Sequence, residues 1–308
     1  MNNGWKFRLI YGMVSLVAHL PLNILYRFSD MLYILLYYIL RYRRRVAMTN
    51  IAESFPEKKT AEHKEICRHF FRNFSDYIFE TIKLAHISDE EMMHRMEFKN
   101  TELMKGYMES GRSVVAYFSH CFNWEWAPSI TLHCFTDDER EMEFCQVYRP
   151  LRNATFDAVM LELRSRFGSM SLKKRSVLRD LLRFRRYGII SVTGFMSDQK
   201  PSHGDPIHVV DFLNHPTAVI TGTETLAGRL GMAAIYWDIS RVSRGHYSIT
   251  MRRLSDDVGK EEPMEVTHRY FRMLQQTIRE NPSNWLWSHK RWKNKVTFDM
   301  NGKNLKVE

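Results

Sequence analysis

Cysteine is scarce in this chain: its 308 residues hold four, Cys67, Cys121, Cys134 and Cys145, and no two of them form a C-x-x-C pair. That spacing excludes a zinc knuckle, a thioredoxin-type redox site and a disulfide scaffold, and a reducing compartment is the simpler setting. Glycine and proline are also few, at 14 and 9, while apolar residues make up 44%. Such a composition excludes collagen-like, low-complexity and extensively disordered classes and leaves enough apolar surface for a packed core. No G-x-G-x-x-G, Walker A, H-E-x-x-H or G-x-S-x-G sequence occurs, which removes the usual support for nucleotide binding, zincin chemistry and an α/β-hydrolase triad. Acidic residues are outnumbered, 35 Asp+Glu against 45 Lys+Arg, for a net charge of +10. A surface of that sign favours phosphates, whether of nucleic acid or of lipid headgroups.

Charge is almost missing from one stretch: between Leu9 and Leu40 only Arg27 and Asp30 carry it. The run Leu9–Tyr26 would extend roughly 27 Å as a helix, just short of the ~30 Å hydrocarbon core of a bilayer. His19, Pro21 and Asn23 interrupt it, and the second run, Met31–Leu40, is too short to span alone. Lys6 and Arg8 precede the first run and Arg41, Arg43, Arg44 and Arg45 follow the second. Both flanks therefore carry the cytoplasmic signal, which fits a tilted or re-entrant hairpin better than one crossing. Rival readings are a cleavable signal peptide, against which no small-residue cleavage site follows Met13–Leu22, and a pair of buried core helices. The basic cluster favours an anchor over residues 1–45, with the remaining 46–308 as one catalytic domain.

Beyond the anchor, apolar residues at helical spacing predict an amphipathic helix over Glu62–Leu84. Short β-rich runs then alternate with helical ones. Strands are expected at Ser113–Phe118, Glu143–Tyr148, Gly188–Thr193, Ile207–Phe212, Ala233–Ile239 and Tyr247–Met251, and helices at Thr155–Phe167, Ser176–Tyr187, Thr217–Leu230 and Pro263–Arg279. This alternation predicts an α/β fold, a mixed sheet flanked by helices. There is no internal repeat and no Gly/Ser/Pro-rich linker.

Three histidines precede a carboxylate by five positions: His86/Glu91, His120/Glu125 and His133/Asp138. About one or two such pairs arise by chance at this composition, so context must choose. His86/Glu91 sits in the charged run Ser88–Glu91 and reads as a solvated, capped helix start. His133/Asp138 opens the polar stretch Thr136–Arg140, a surface loop. His120 instead follows the apolar run Val114–Phe118 directly, at the carboxyl end of a strand, where open α/β sheets place their sites. A continuous helix would set the two side chains about 140° apart, so His120 must precede the helix and Glu125 lie in its first turns. A neutral imidazole with a carboxylate partner suits deprotonation of an alcohol as it attacks a thioester. A structural histidine at a strand end is the competing interpretation.

Five further elements stand in order along the chain: the Arg cluster with Asn50-Ile51-Ala52-Glu53-Ser54-Phe55-Pro56, the box Ser119-His120-Cys121-Phe122-Asn123-Trp124-Glu125, Tyr148-Arg149-Pro150-Leu151, Ser197-Asp198-Gln199, and the C-terminal run Pro282–Lys293. On these residues the chain resembles the bacterial lipid A biosynthesis acyltransferases, the late lauroyl/myristoyl type within the glycerolipid and lysophospholipid acyltransferase superfamily. Five elements in family order span most of the chain. The resemblance implies transfer of an acyl chain from an acyl carrier protein thioester to a hydroxyl of a lipid A precursor, at the cytoplasmic face of the bacterial inner membrane, among membrane phospholipids. His120 would be the base and Glu125 its partner, with Arg149 on a phosphate or the developing oxyanion. Asp198, Gln199 and Asn123 would line the substrate site. No metal, cofactor or nucleic acid is implied; the carrier thioester is a co-substrate. Lys290, Arg291 and Lys293 would engage lipid phosphates or the acidic carrier, and Trp285, Trp287 and Trp292 read as core and interface anchors. Phe212-Leu213-Asn214-His215-Pro216 departs from the family's Phe-Phe-Gly, which bears on acceptor or chain-length preference because Asn enters left-handed backbone less readily than Gly. Other lipid acceptors, such as a lysophospholipid, aminolipid or glycolipid, and a non-catalytic lipid-binding protein are the alternatives.

Overall fold

In a computed structural model of the chain, residues 4–133, 141–202, 205–293, 296–298 and 305–307 are described. Thr136–Arg140 with Asp138, and Cys134, fall outside that set.

The hydrophobic runs at the start form two helices rather than one. Helix α1 (Trp5–Ala18) ends just before Pro21, and α2 (Leu22–Ile34) runs on through a π-helical turn to Ile39. Proline has no N–H to continue a helix, so the break falls where the ring stands. The two helices bend by 111°, and among the described residues no single helix is long and apolar enough to cross a membrane. Leu22, Leu25, Ser29 and Tyr33 of α2 are buried, against α4 (Thr60–Lys83), while Ile24, Phe28, Met31 and Ile34 are exposed. Between them lies α3 (Arg44–Ser54).

Helix α4 begins with the backbone N–H of Lys59 donating to the Glu62 carboxylate at 2.9 Å, and Ile66, Phe70 and Phe71 on one stripe are buried. Its other buried face is polar. Ser29 donates to Asp76 at 2.6 Å, Tyr26 to Glu80 at 2.9 Å, and Lys83 donates to the carbonyls of Ala18 and Leu20, at the end of α1, at 3.0 and 3.1 Å. Arg244 bridges Asp76 and Asp30, both at 2.7 Å, and so ties α2 to α4.

The chain then adds α5 (Asp89–Arg95), β1 (Met96–Lys99) and α6 (Thr101–Glu109). Ser88 caps α5 by accepting the Glu91 N–H at 3.1 Å, so the His86/Glu91 pair is the capped helix start its charges indicate. A seven-stranded sheet follows from β1, β2 (Val114–Phe118), β3 (Met142–Tyr148), β4 (Met170–Lys173), β5 (Ile190–Met196), β8 (Ala233–Ser243) and β9 (His246–Ser255), in the order β1-β9-β8-β2-β5-β3-β4. Strands β8, β2, β5, β3 and β4 are parallel, and β9 is antiparallel to β8. The central strand β2 is buried along its whole length, as expected where helices cover both faces.

Helices α7 (Ala154–Arg164), α8 (Val177–Arg186), α9 (Gly222–Leu230) and α10 (Glu265–Glu280) match the expected helices within a few residues, with one correction. Thr217–Ile220 is strand, not helix: β7 (His215–Ile220) pairs antiparallel with β6 (Ile207–Phe212). The run Thr217-Ala218-Val219-Ile220 is rich in β-branched side chains, and a two-residue turn delivers it to its partner. Both turn residues, Leu213 (φ 51°) and Asn214 (φ 65°), adopt left-handed backbone. Asn214 holds the turn by donating to the Ser54 carbonyl at 2.9 Å, and Gln275 accepts the Leu213 N–H at 2.7 Å. Phe-Leu-Asn thus makes this turn without the family's glycine.

Candidate active site

Parallel pairing of β2 with β5 sets the site. Phe118 stands opposite Met196, so the residues two beyond each, His120 and Asp198, meet where both strands end. The Asp198 carboxylate accepts from His120 twice, at 3.1 Å from the backbone N–H and at 2.8 Å from Nδ1. Trp285 Nε1 donates to the same carboxylate at 2.9 Å. Asp198 is fully buried. Burial would raise its carboxyl, but the His120 imidazole beside it and the hydrogen bonds from His120 and Trp285 outweigh that and bring it down to about 2. With the proton on Nδ1 directed at Asp198, Nε2 carries the lone pair; the Gln199 side-chain amide lies 3.0 Å from it. A histidine oriented in this way by a carboxylate on Nδ1 is placed to use Nε2 as a base.

The carboxylate that the spacing assigns to His120 is engaged elsewhere. Glu125 lies at the start of a 3-10 helix (Trp124–Leu132) and receives a two-pronged contact from Arg164 of α7, Nε to Oε2 at 2.7 Å and Nη2 to Oε1 at 2.6 Å. Trp124 Nε1 donates to it at 3.1 Å and the Tyr77 hydroxyl at 3.4 Å. In this structure the carboxylate in hydrogen-bond contact with the His120 imidazole is therefore that of Asp198, while Glu125 is held by Arg164. Glu125 and His120 nonetheless line one cavity. Burial pulls the Arg164 guanidinium pKa down, but the Glu125 carboxylate more than reverses this, so the pair is an ion pair.

That cavity holds about 460 Å³, in the range of small-molecule sites. Phe118, Val147, Val177, Phe195 and Leu226 supply its apolar wall, and Arg149, Lys174 and Lys200 the cations. Arg149 is exposed, as Leu151 is, and donates to Ser202 Oγ at 3.4 Å. A narrow recess of about 20 Å³ adjoins it, sharing Phe118 and Gln146 and closed by Pro128, Phe144, Gly194 and Trp237.

Asn123 takes a different place from the one expected. It is fully buried, accepts the Glu125 N–H at 3.1 Å and donates to Glu80 at 3.1 Å, so it holds the turn rather than lining the cavity. Glu80 also accepts from the Tyr247 hydroxyl at 2.8 Å, and its carbonyl accepts from Trp126 Nε1 at 3.1 Å. Burial, and then the neighbouring Asp76, push the Glu80 carboxyl up. Cys121, next to His120, is no rival nucleophile, because its thiol is fully buried and burial raises its pKa.

The C-terminal run covers the dyad from behind. Arg291 is buried and donates from Nε to the Asp198 carbonyl at 2.7 Å and from Nη2 to the Ala218 carbonyl at 2.8 Å, so it supports the site from within rather than meeting a partner. Trp287 packs on Phe55, and Asn50 donates to the Trp287 and His289 carbonyls at 2.8 and 2.9 Å. Lys290 and Lys293 are exposed, while Asn294 and Lys295 lie outside the described residues. Sequence reading missed Arg164, Tyr77, Glu80 and the Trp285 contact. The first three sit on helices remote in sequence, with no motif to single them out. Among the described residues no group of three or more His, Cys, Asp or Glu side chains is placed to hold a metal ion.

The family model for bacterial lipid A biosynthesis acyltransferases matches residues 1–294. No curated protein matches the chain.

Proposed function

We propose that this chain, which belongs to the bacterial lipid A biosynthesis acyltransferase family, moves a fatty acyl chain from an acyl carrier protein thioester to a hydroxyl of a lipid A precursor. The observation that carries the reading is the His120–Asp198 pair at 2.8 Å, on the wall of a cavity with both apolar and cationic sides.

In the proposed step the acceptor hydroxyl takes the position that Gln199 occupies at His120 Nε2. Its proton passes to Nε2 as its oxygen attacks the thioester carbonyl, and Asp198 stabilises the imidazolium. Collapse of the tetrahedral intermediate breaks the C–S bond, and the departing thiolate takes the proton from Nε2. One ester and one thiol result, so the exchange needs neither oxidant nor reductant. The Gln199 amide, freed from Nε2, and the Arg149 guanidinium are the donors we assign to the developing oxyanion. Glu125, fixed by Arg164, holds the shape of the wall opposite. Arg149 and Lys200 at the mouth suit the phosphates of a lipid A precursor.

The lipid acceptor calls for a membrane-bound enzyme. We assign the bilayer contact, at the cytoplasmic face of the inner membrane, to the apolar side of α1 and α2. Trp5, Leu9, Met13 and Leu16 of α1 are exposed on one side, in the pattern of an interfacial helix.

The test is mass spectrometry of lipid A and phospholipids from cells lacking the gene, complemented with wild type or His120→Ala. Restoration of one acyl chain on lipid A by wild type alone is the expected result. A shift in another lipid class would transfer the reading to a different acceptor, and restoration by His120→Ala would remove His120 from the chemistry.

A further inference from the structure

Helix α8 has a surface that the acyl-transfer chemistry leaves unused. From Lys173 to Tyr187 the chain carries seven Lys and Arg against one acid, Asp180, and Asp180 is turned to Ser176, whose hydroxyl donates to it at 2.8 Å. Val177, Leu181 and Phe184 are buried on the inner side of the helix. At about 100° per residue, Arg175, Arg179, Arg183 and Arg186 fall together on the opposite side, with Leu182 between them. All five are exposed. Arg175, Arg185 and Arg186 have no carboxylate within ion-pair distance among the described residues. So many like charges on one short helix repel one another, and a partner of opposite charge relieves the repulsion.

Two placements narrow the partner. Lys174 and Val177 line the cavity, so the start of α8 forms part of its mouth. The helix also lies on the far side of the sheet from α1. Side chains alternate between faces along β3. Gln146 donates to the Arg164 carbonyl at the end of α7, and α7 packs on α1. The opposite face of β3 carries Glu143 and Cys145, which feel Arg183 and Asp180 of α8. The basic face of α8 therefore points away from the apolar face of α1, toward the aqueous phase.

We propose that the outer face of α8 is the docking surface for the acyl donor's carrier, an acidic protein that presents its thioester on a flexible arm and delivers it past Lys174 and Val177 into the cavity. This rests on the acyl-thioester reading above. Arg175, Arg179 and Arg186 steer and hold the acidic surface, and Leu182 gives an apolar contact at the centre of the patch.

The test uses the full chain in phosphatidylcholine nanodiscs, as wild type and as the triple variant Arg175→Glu/Arg179→Glu/Arg186→Glu. Arg183 is left in place because its charge acts on Glu143 of β3. Binding of holo acyl carrier protein is read by fluorescence anisotropy across a salt series, and acyl transfer is read with two donors, the acylated carrier and a small acyl-pantetheine thioester. The expected result is a KM for the carrier donor raised at least ~10-fold, with a shallower salt dependence of binding. The small donor should be used at the wild-type rate, which also shows that the variant is folded. Unchanged carrier binding in the variant overturns the proposal. So does loss of binding to vesicles of phosphatidylcholine with phosphatidylglycerol while carrier binding persists, which assigns α8 to a bilayer. If wild type uses the small donor but never binds the carrier, docking fails and acyl transfer stands. If wild type binds the carrier through α8 yet transfers from neither donor, docking stands and acyl transfer fails.

Discussion

Asp198 reaches His120 from the end of the neighbouring strand, accepting from Nδ1 at 2.8 Å, whereas the carboxylate five residues along the chain is turned to Arg164. Replacing Asp198 with Asn keeps the shape but substitutes an amide for the charge that stabilises the imidazolium. We expect kcat to fall by about 10²–10⁴ with KM little changed. Single-turnover and steady-state acyl transfer would measure it; an Asp198→Asn enzyme of wild-type kcat would remove Asp198 from the proposed mechanism.

The Glu125–Arg164 pair makes a separate prediction about stability. The Glu125 side chain is 3% exposed and that of Arg164 19%, so either alone is a buried charge without its partner. Arg164→Met is expected to lose about 3–5 kcal/mol, and Glu125→Gln/Arg164→Met to recover most of it. Thermal unfolding in a fixed detergent tests this, and an additive double variant would show that the pair is uncoupled.

His289 should make the fold sensitive to acid. Burial pushes its imidazole down to about 4, helped by Arg291, His120 and Lys200 and opposed by Asp198, and its Nδ1 is buried without a partner among the described residues. An unfolded histidine titrates near 6.5. Between the two values the native state binds fewer protons than the unfolded one. The contribution is therefore complete above about pH 6.5 and is lost as pH falls toward 4, a total of about 3 kcal/mol. His289→Gln should flatten the stability curve between those limits in urea titrations; a curve parallel to wild type would show that another group sets the slope.

Gly194 faces the narrow recess. A Cβ built there meets Phe118 Cε1 at 2.8 Å, so in Gly194→Ala the Phe118 ring, which lines both the recess and the main cavity, must shift. If the far end of the acyl chain uses the recess, the added methyl and the displaced ring will make the variant prefer shorter donors, losing about 10-fold or more on the longest. Rates across a ladder of saturated acyl thioesters decide the matter, and an unaltered profile places the chain elsewhere.

The exposed side of α1 predicts the mode of membrane attachment. Burying one leucine is worth about 1.5–3 kcal/mol, so Leu9→Glu/Leu16→Glu should reduce sedimentation with vesicles at least ~10-fold. Undiminished sedimentation would assign the contact to another surface.

The sequence displayed what is local. Val114–Phe118 was legible as a strand because it is a short apolar run, α4 through its spacing, and the break at Pro21 because proline cannot continue a helix. The pairing of His120 was not legible, because a spacing of five residues says nothing about which strand lies alongside, and Asp198 is 78 residues away. Arg164 and Glu80 look like any charged residue on a helix surface until the tertiary fold buries them. The strand Thr217–Ile220 merges in sequence with the helix that follows it, and only the facing strand β6 separates the two.

Lys83, Asp76 and Glu80 have a consequence for how the molecule can be handled. These three buried side chains of α4 meet Ala18, Leu20, Tyr26 and Ser29 of the N-terminal segment, Arg244 from the turn between β8 and β9 joins Asp76 to Asp30, and Glu80 in turn holds Asn123 beside the active site. Trimming the first 45 residues would strip these buried polar side chains of their partners, next to the turn that presents His120. The first two helices are thus a structural half of the polar core around α4 rather than an appendage to it.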